Sequence, residues 1–155
     1  MVLKPRLLLA DEPVSMLDVS VRAGILRLLD ELRRDGLAIL MITHDLSTAA
    51  HFADRIAVMY LGRIVEEGPA KEVVRRPLHP YTKALISVVP KRDPRDSTVP
   101  QILTGETPNP VHIPSGCRFH PRCPIAEERC KSIDPELRTP DSAASARHRA
   151  ACILA

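Results

Sequence analysis

Two short stretches of unbroken hydrophobicity set the limits on this fold. Leu7-Leu8-Leu9-Ala10 runs straight into Asp11-Glu12-Pro13, and the stretch from Leu37 to Ile42 passes through Thr43 into His44-Asp45. An apolar run of this length that ends in charge reads as a strand covered on both faces, the kind found in parallel sheets. The spacing predicts the first strand over Val2 to Ala10 and the second over Leu37 to Thr43. Between them, Val21, Ile25, Leu28, Leu29 and Leu32 fall at helical spacing within Ser20 to Arg34, with basic residues in the last turn and Gly36 just past the end. A right-handed crossover between two such strands places both of their C-terminal ends on one edge. Asp11, Glu12 and His44 are therefore expected together, at the edge where open α/β sheets bind ligands.

A second helix is expected from Leu46 to about Ala53, capped by Asp45 or Ser47. Ile56 to Tyr60 and Ile64 to Glu67 flank Leu61-Gly62-Arg63 as the two strands of a hairpin. Pro69 to Arg76 and Pro80 to Val88 read as short helices opened by proline. This order of elements predicts an α/β domain built on a parallel sheet with flanking helices. Near residue 90 the composition changes: nine of the 15 prolines and all four cysteines lie after Lys91. We therefore divide the chain into an α/β segment, 1–90, and a proline-rich, cysteine-containing tail, 91–155. Within the tail, Lys91 to Gly116 reads as a linker or extended wrap, and one short helix is expected near Ile125 to Cys130.

Charge and composition exclude several classes. A surplus of three positive charges over 22 basic and 19 acidic residues, with two Phe, two Tyr and no Trp, gives little for a polyanion or for base stacking, so no nucleic-acid partner is expected. No uninterrupted apolar run exceeds six residues, far short of the roughly 20 that a spanning helix needs, and the first 12 residues lack the apolar length of a secretory signal. The expectation is a cytoplasmic chain.

Adjacent carboxylates at the mouth of a buried strand need a cation or a reaction to compensate their desolvation. Leu7 to Glu12 has the form of a Walker B strand, in which the Asp helps to hold Mg²⁺ and the next residue, Glu, polarises a water. Such a run is also the pattern of a solvated strand end, and the residues C-terminal to it decide between the two. Asp11-Glu12-Pro13-Val14-Ser15-Met16-Leu17-Asp18 closely resembles the Walker B and D-loop of ATP-binding cassette (ABC) ATPases, and Ile39 to Asp45 resembles that family's switch-histidine strand. Ile56 to Gly68 is similar to the hairpin that comes next in that family. Pro77-Leu78-His79-Pro80-Tyr81-Thr82-Lys83-Ala84-Leu85 narrows the resemblance to the ATP-binding subunits of oligopeptide, dipeptide and nickel importers.

The resemblance implies the C-terminal part of an ABC-type P-loop ATPase domain, with ATP and Mg²⁺ as cofactors. It assigns Asp11 to Mg²⁺ coordination, Glu12 to catalysis as base and His44 to contact with the γ-phosphate. Ser15 to Asp18 becomes the loop that faces the nucleotide-binding domain of a second ATPase subunit, with Ser15 and Asp18 beside Asp11 as cofactor-binding residues. It also implies membrane permease subunits as partners and a peripheral place on the inner face of the cell membrane. The sequence contains no Gly-x4-Gly-Lys-Ser/Thr loop, glycine-rich signature or glutamine loop. The expected role is thus a fragment of the ATP-hydrolysing subunit of a peptide importer, inactive alone, that needs the missing N-terminal half of the domain. Without that half, the Walker B strand is expected to be an exposed hydrophobic edge. A non-enzymatic metal-binding or interaction module and a soluble ABC-type ATPase are the alternatives.

Cys117-x5-Cys123-x6-Cys130-x21-Cys152 lacks the Cys-x2-Cys pairs of common zinc modules. In a reducing compartment four thiols favour a metal over disulfides, and both zinc and an iron–sulfur cluster suit them, with unliganded cysteines as the third possibility. The tail of many peptide-importer ATPases resembles Gly116-Cys117-Arg118-Phe119 and Arg122-Cys123-Pro124, and some members bind a [4Fe-4S] cluster there. His112, His120 and His148 are spare ligand candidates and none is assigned a role. Arg118, Arg122, Arg147 and Arg149 would either offset the charge of a thiolate-ligated cluster or form a solvated basic face.

Overall fold

The computed structural model describes residues 5–89, 100–103, 105 and 109–155. The chain divides into two compact units, Met1–Phe52 and Ala53–Ala155.

The first unit is the βαβ element. β1 (Leu7–Asp11) and β2 (Ala38–Ile42) pair in parallel with Leu8 opposite Ile39 and Asp11 opposite Ile42, and α1 (Val19–Arg34) makes the crossover. β1 runs one residue past its apolar run, to Asp11, whereas β2 leaves out Leu37 and Thr43 of the predicted strand; the predicted extension of β1 back to Val2 lies largely outside the described residues. Successive side chains alternate between the two faces of a strand. Leu8, Ala10, Ile39 and Met41 are half-buried, while Leu7, Leu9, Leu40 and Ile42 are 59%, 61%, 57% and 49% exposed. The expectation of strands covered on both faces is thus met on one face only. α1 differs similarly: Leu26, which lay outside the expected stripe, is buried, whereas Val21 and Leu28 are about half exposed. Its C-terminal turn is braced by Arg33 and Arg34, both paired with Asp30, and their hydrogen bonds and charge hold the Asp30 carboxyl below the ordinary range. α2 (Leu46–Phe52) begins directly after the second strand's polar end.

The second unit is built on an antiparallel sheet. β3 (Arg55–Tyr60) and β4 (Arg63–Pro69) form the expected hairpin. Its two turn residues, Leu61 (φ 45°) and Gly62 (φ 76°), are both left-handed, the backbone that a two-residue turn matched to strand twist requires. Ile56, Val58 and Tyr60 alternate inward. α3 (Ala70–Arg75) and α4 (Pro80–Ser87) come next, shorter than their proline boundaries suggested. The core is aromatic: Phe119, 1% exposed, lies 5.2 Å from Tyr60, 5.4 Å from Tyr81 and 5.5 Å from His79 between ring centroids.

The tail belongs to this unit. A two-residue strand, β5 (Arg149–Ala150), adds to β4 in antiparallel register. The helix expected near Ile125 to Cys130 is only a 3₁₀ turn over Glu128–Lys131, with another at His120–Arg122. The linker expected from Lys91 to Gly116 lies in large part outside the described residues. The change of composition near residue 90 is therefore distinct from the division into compact units, which falls after Phe52.

Candidate functional site

At the C-terminal edge of the parallel pair, the expected juxtaposition holds. Glu12 immediately succeeds β1 and donates its backbone N–H to the Ile42 carbonyl at 2.9 Å. Its φ of 45° is rare for a residue with a side chain and is the kind of backbone strain that persists where surrounding structure imposes it. The turned backbone brings the carboxylate across to β2's end. There Glu12 Oε1 accepts the backbone N–H of His44 at 3.0 Å and meets the His44 ring Nδ1 at 2.8 Å. With Nδ1–H donated to Glu12, Nε2 is the ring's outward-facing polar atom, and the imidazole is largely exposed.

The flanking residues fix this pair. Asp11 stands exposed opposite Ile42 at the same edge. Ser15 folds back on the Glu12 carbonyl, with N–H at 3.3 Å and Oγ at 3.2 Å, which closes the turn from Pro13 to Leu17 and leaves Met16 96% exposed. Asp18 occupies the cap position of α1 without a capping bond from its side chain; its carbonyl accepts the Arg22 N–H. Of the two caps expected for α2, Asp45 is the one used. Its carboxylate accepts the N–H groups of Ser47 and Thr48 at 2.9 and 3.3 Å and the Thr48 hydroxyl at 2.6 Å. The Thr48 hydroxyl above all holds the Asp45 carboxyl below its ordinary value; burial opposes it, and the Thr48 and Ser47 backbone donors add to the lowering. The capped start of α2 thus lies next to His44 in the chain and anchors the loop that carries the imidazole.

The four cysteines lie in the second unit as free thiols, Cys117 and Cys123 half-buried, Cys130 and Cys152 buried. Cys117 donates its N–H to the Cys130 carbonyl at 2.9 Å. Gly116 makes this approach possible: its φ is +66°, and a Cβ there would sit 2.5 Å from the Cys130 oxygen. Burial, then the other cysteines, push the Cys117, Cys123 and Cys152 thiols up, while backbone N–H groups of Phe119, Ile125 and Leu154 oppose that rise at the respective sulfurs. At Cys130 the donor to sulfur is the Glu127 N–H, at 3.5 Å. Among the described residues, no group of three or more His, Cys, Asp or Glu is spaced to hold a single metal ion.

The arginines singled out in the sequence have protein partners in two cases. Arg118 donates to the Leu61 carbonyl of the hairpin turn, and Arg149 pairs with Glu67. His120 Nδ1 meets the Cys117 carbonyl at 2.9 Å. Sequence reasoning missed a fully buried polar network. Glu66 of β4 accepts the backbone N–H groups of Leu78 and His79 at 2.9 and 2.8 Å and meets His148 Nε2 at 2.7 Å. The His-Pro-Tyr-Thr segment is thus tied to the hairpin at its first residue. Within that segment His79 Nδ1 accepts the Tyr81 N–H at 3.1 Å and caps α4. An acidic residue breaking the inward alternation of β4 was the available signal.

Comparison with known proteins gives the same reading from a second direction. Residues 65–130 match the family model described as the oligopeptide/dipeptide transporter, C-terminal region. A probable peptide ABC transporter ATP-binding protein of Sinorhizobium fredii is 51% identical over 148 residues, 94% of this chain and 42% of the relative. The di/tripeptide transport ATP-binding protein DppF of Pseudomonas aeruginosa is 50% identical over 97% of this chain and 47% of its own length. The oligopeptide transport ATP-binding protein OppF of Salmonella typhimurium is 47% identical over 99% of this chain and 45% of its own. The chain therefore spans less than half the length of these relatives. Among the described residues, no helix is long and apolar enough to cross a membrane.

Proposed function

We propose, for a chain whose sequence corresponds to the C-terminal part of peptide ABC transporter ATP-binding proteins, that it supplies the hydrolytic edge of an ATPase domain that powers peptide import. The observation that carries this reading is the 2.8 Å contact between Glu12 and His44 across 32 residues of sequence. In a domain completed by the N-terminal half, Glu12 takes the proton of the attacking water. His44, oriented by Glu12 through Nδ1, offers Nε2 to the γ-phosphate, and Asp11 on the same edge would hold Mg²⁺, which supplies charge neutralisation at the phosphates. Asp11 suits that ion as an exposed, hard oxygen donor beside Glu12. The loop from Ser15 to Asp18 faces the nucleotide-binding domain of a second ATPase subunit. Membrane permease subunits are the further partners, which places the assembly on the cytoplasmic face of the membrane.

Co-expression of this chain with a segment carrying the phosphate-binding loop tests the reading. Magnesium-dependent ATP turnover should appear only with both parts, and Glu12→Gln should lower it by about 10²-fold or more. Turnover that survives Glu12→Gln unchanged would remove Glu12 from the chemistry.

The tail extends the proposal. Cys117, Cys123, Cys130 and Cys152 would hold an iron–sulfur cluster of the [4Fe-4S] type, which when bound supplies a one-electron centre or a cross-link of the tail. Two features support this. Each sulfur is approached by a backbone N–H, and hydrogen bonds to the sulfurs are among the features that tune such clusters. The thiols also act on one another electrostatically, and a polynuclear cluster spreads its thiolates over separate irons. Chain purified without oxygen should contain about four irons with matching sulfide; zinc alone, or no metal, would refute the cluster.

A further inference from the structure

The tail reaches the sheet through a strand of only two residues. β5 pairs Glu66 with Ala150 and Glu67 with Arg149, and Ala151 adds one N–H to the Val65 carbonyl at 2.8 Å. So short a ladder specifies its own register weakly, and a slip by one residue would turn every side chain of the strand to the opposite face. Ala150, fully buried and bridged to Arg138, gives it one determinant, and the buried network beside it gives a second.

His148, just before β5, is completely buried, with Nε2 at 2.7 Å from Glu66 Oε1, itself inaccessible. Gly68 of β4 leaves room for the ring: a Cβ at that position would lie 2.9 Å from His148 Cδ2 and 3.2 Å from its Cα. On the other side, Nδ1 lies 3.7 Å from Glu72 Oε2, and that oxygen accepts the Ser145 hydroxyl at 2.8 Å. The ring therefore has one seat, formed by two acids and a missing side chain. Cys152 comes four residues later and lies within electrostatic reach of Cys117, Cys123 and Cys130. The family model ends at Cys130, so His148 and Cys152 both lie outside the matched region.

We propose that Glu66 and His148 are positioning residues: their buried contact sets the register of β5 on β4 and so delivers Cys152 to the other three cysteines. The purpose assigned to this latch rests on the proposed cysteine-held cluster, whereas the latch itself is a property of the metal-free chain. Because Glu66 also holds the Leu78 and His79 amides, the fourth cysteine is seated by the same carboxylate that starts the His-Pro-Tyr-Thr segment.

The test is residue-resolved alkylation of the full-length, metal-free chain by N-ethylmaleimide, read by mass spectrometry, and then loading with ferrous iron and sulfide. In the unaltered chain Cys152 should label slowly. In His148→Ala its rate should rise about tenfold through local release of the tail, while Cys117 and Cys123 change less than about twofold. Gly68→Ala, which expels the ring from the opposite side, should give the same pattern, and this keeps the test decisive if His148→Ala does not fold. Arg149→Ala, which breaks only the neighbouring exposed pair, should leave Cys152 slow. An unchanged Cys152 rate in both latch variants, or an equal rise at all four cysteines, overturns the proposal. Iron loading separates the two ideas. If the unaltered chain takes up no iron, the cluster reading fails while the labelling pattern still judges the latch. If it loads and both latch variants load equally, with Cys152 protected, the positioning role is refuted.

Discussion

His79 shows what burial does to a single titratable ring. The ring is 1% exposed and its Nδ1 accepts a backbone N–H, so it stays neutral; burial, helped by the Lys83 charge, lowers its pKa from 6.5 to about 4. Between those two values the unfolded chain binds a proton that the folded chain refuses, so stability must fall on acidification from pH 6.5 and level off near pH 4. The full effect is about 3 kcal/mol for this unit. His79→Asn keeps a capping acceptor without the titration and should flatten that slope in pH-dependent denaturation; a slope that persists would assign it to another group. At this scale the sequence was legible where chemistry is carried by neighbours in the chain. Asp11, Glu12 and His44 declare themselves by their place after apolar runs. Glu66 and His148 do not declare their pairing, since 82 residues separate them.

Elements here are decided by a few polar contacts at their ends. The Asp45 carboxylate caps α2, and its depressed pKa means that the stabilisation is present above the ordinary value of 3.8 and is lost as the pH falls through the folded value below it. Asp45→Ala should cost the first unit about 1 kcal/mol at neutral pH, measured by urea unfolding; no change would mean that the cap is idle. Gly116 governs a different junction. Gly116→Ala forces a side chain into the Cys130–Lys131 backbone at a left-handed φ, and should destabilise the second unit by roughly 1–3 kcal/mol while pushing Cys117 away from Cys130. Retention of wild-type stability there would contradict the packing described. Strands, helices and the hairpin could be read from periodicity, because each is a local pattern. Their ends were less legible, since they depend on individual caps and hydrogen bonds. The 3₁₀ turn at Glu128–Lys131 covers only part of the helix expected there, and it is bounded by the Glu127–Cys130 capping contacts, which a local sequence pattern does not register.

Across the whole molecule, the feature that departs most from the apolar runs taken alone is the open face of the parallel pair. The unbroken hydrophobicity of both runs announced strands with two covered faces, and only one is covered within the described residues; the relatives, more than twice as long, are consistent with cover from elsewhere in a complete domain. Leu9 and Leu40 stand opposite one another on that face. Leu9→Lys with Leu40→Glu should raise the soluble yield of the isolated chain and should prevent its complementation by an N-terminal half. Complementation that tolerates both charges would show that this face is not where the missing half docks. The two units also differ optically. Both tyrosines, Tyr60 and Tyr81, sit in the second unit with ring centroids 4.8 Å apart, and the chain has no tryptophan. Intrinsic fluorescence and near-ultraviolet dichroism therefore report almost wholly on that unit, and a thermal melt monitored by tyrosine emission would see the tail and hairpin come apart while remaining blind to Glu12 and His44.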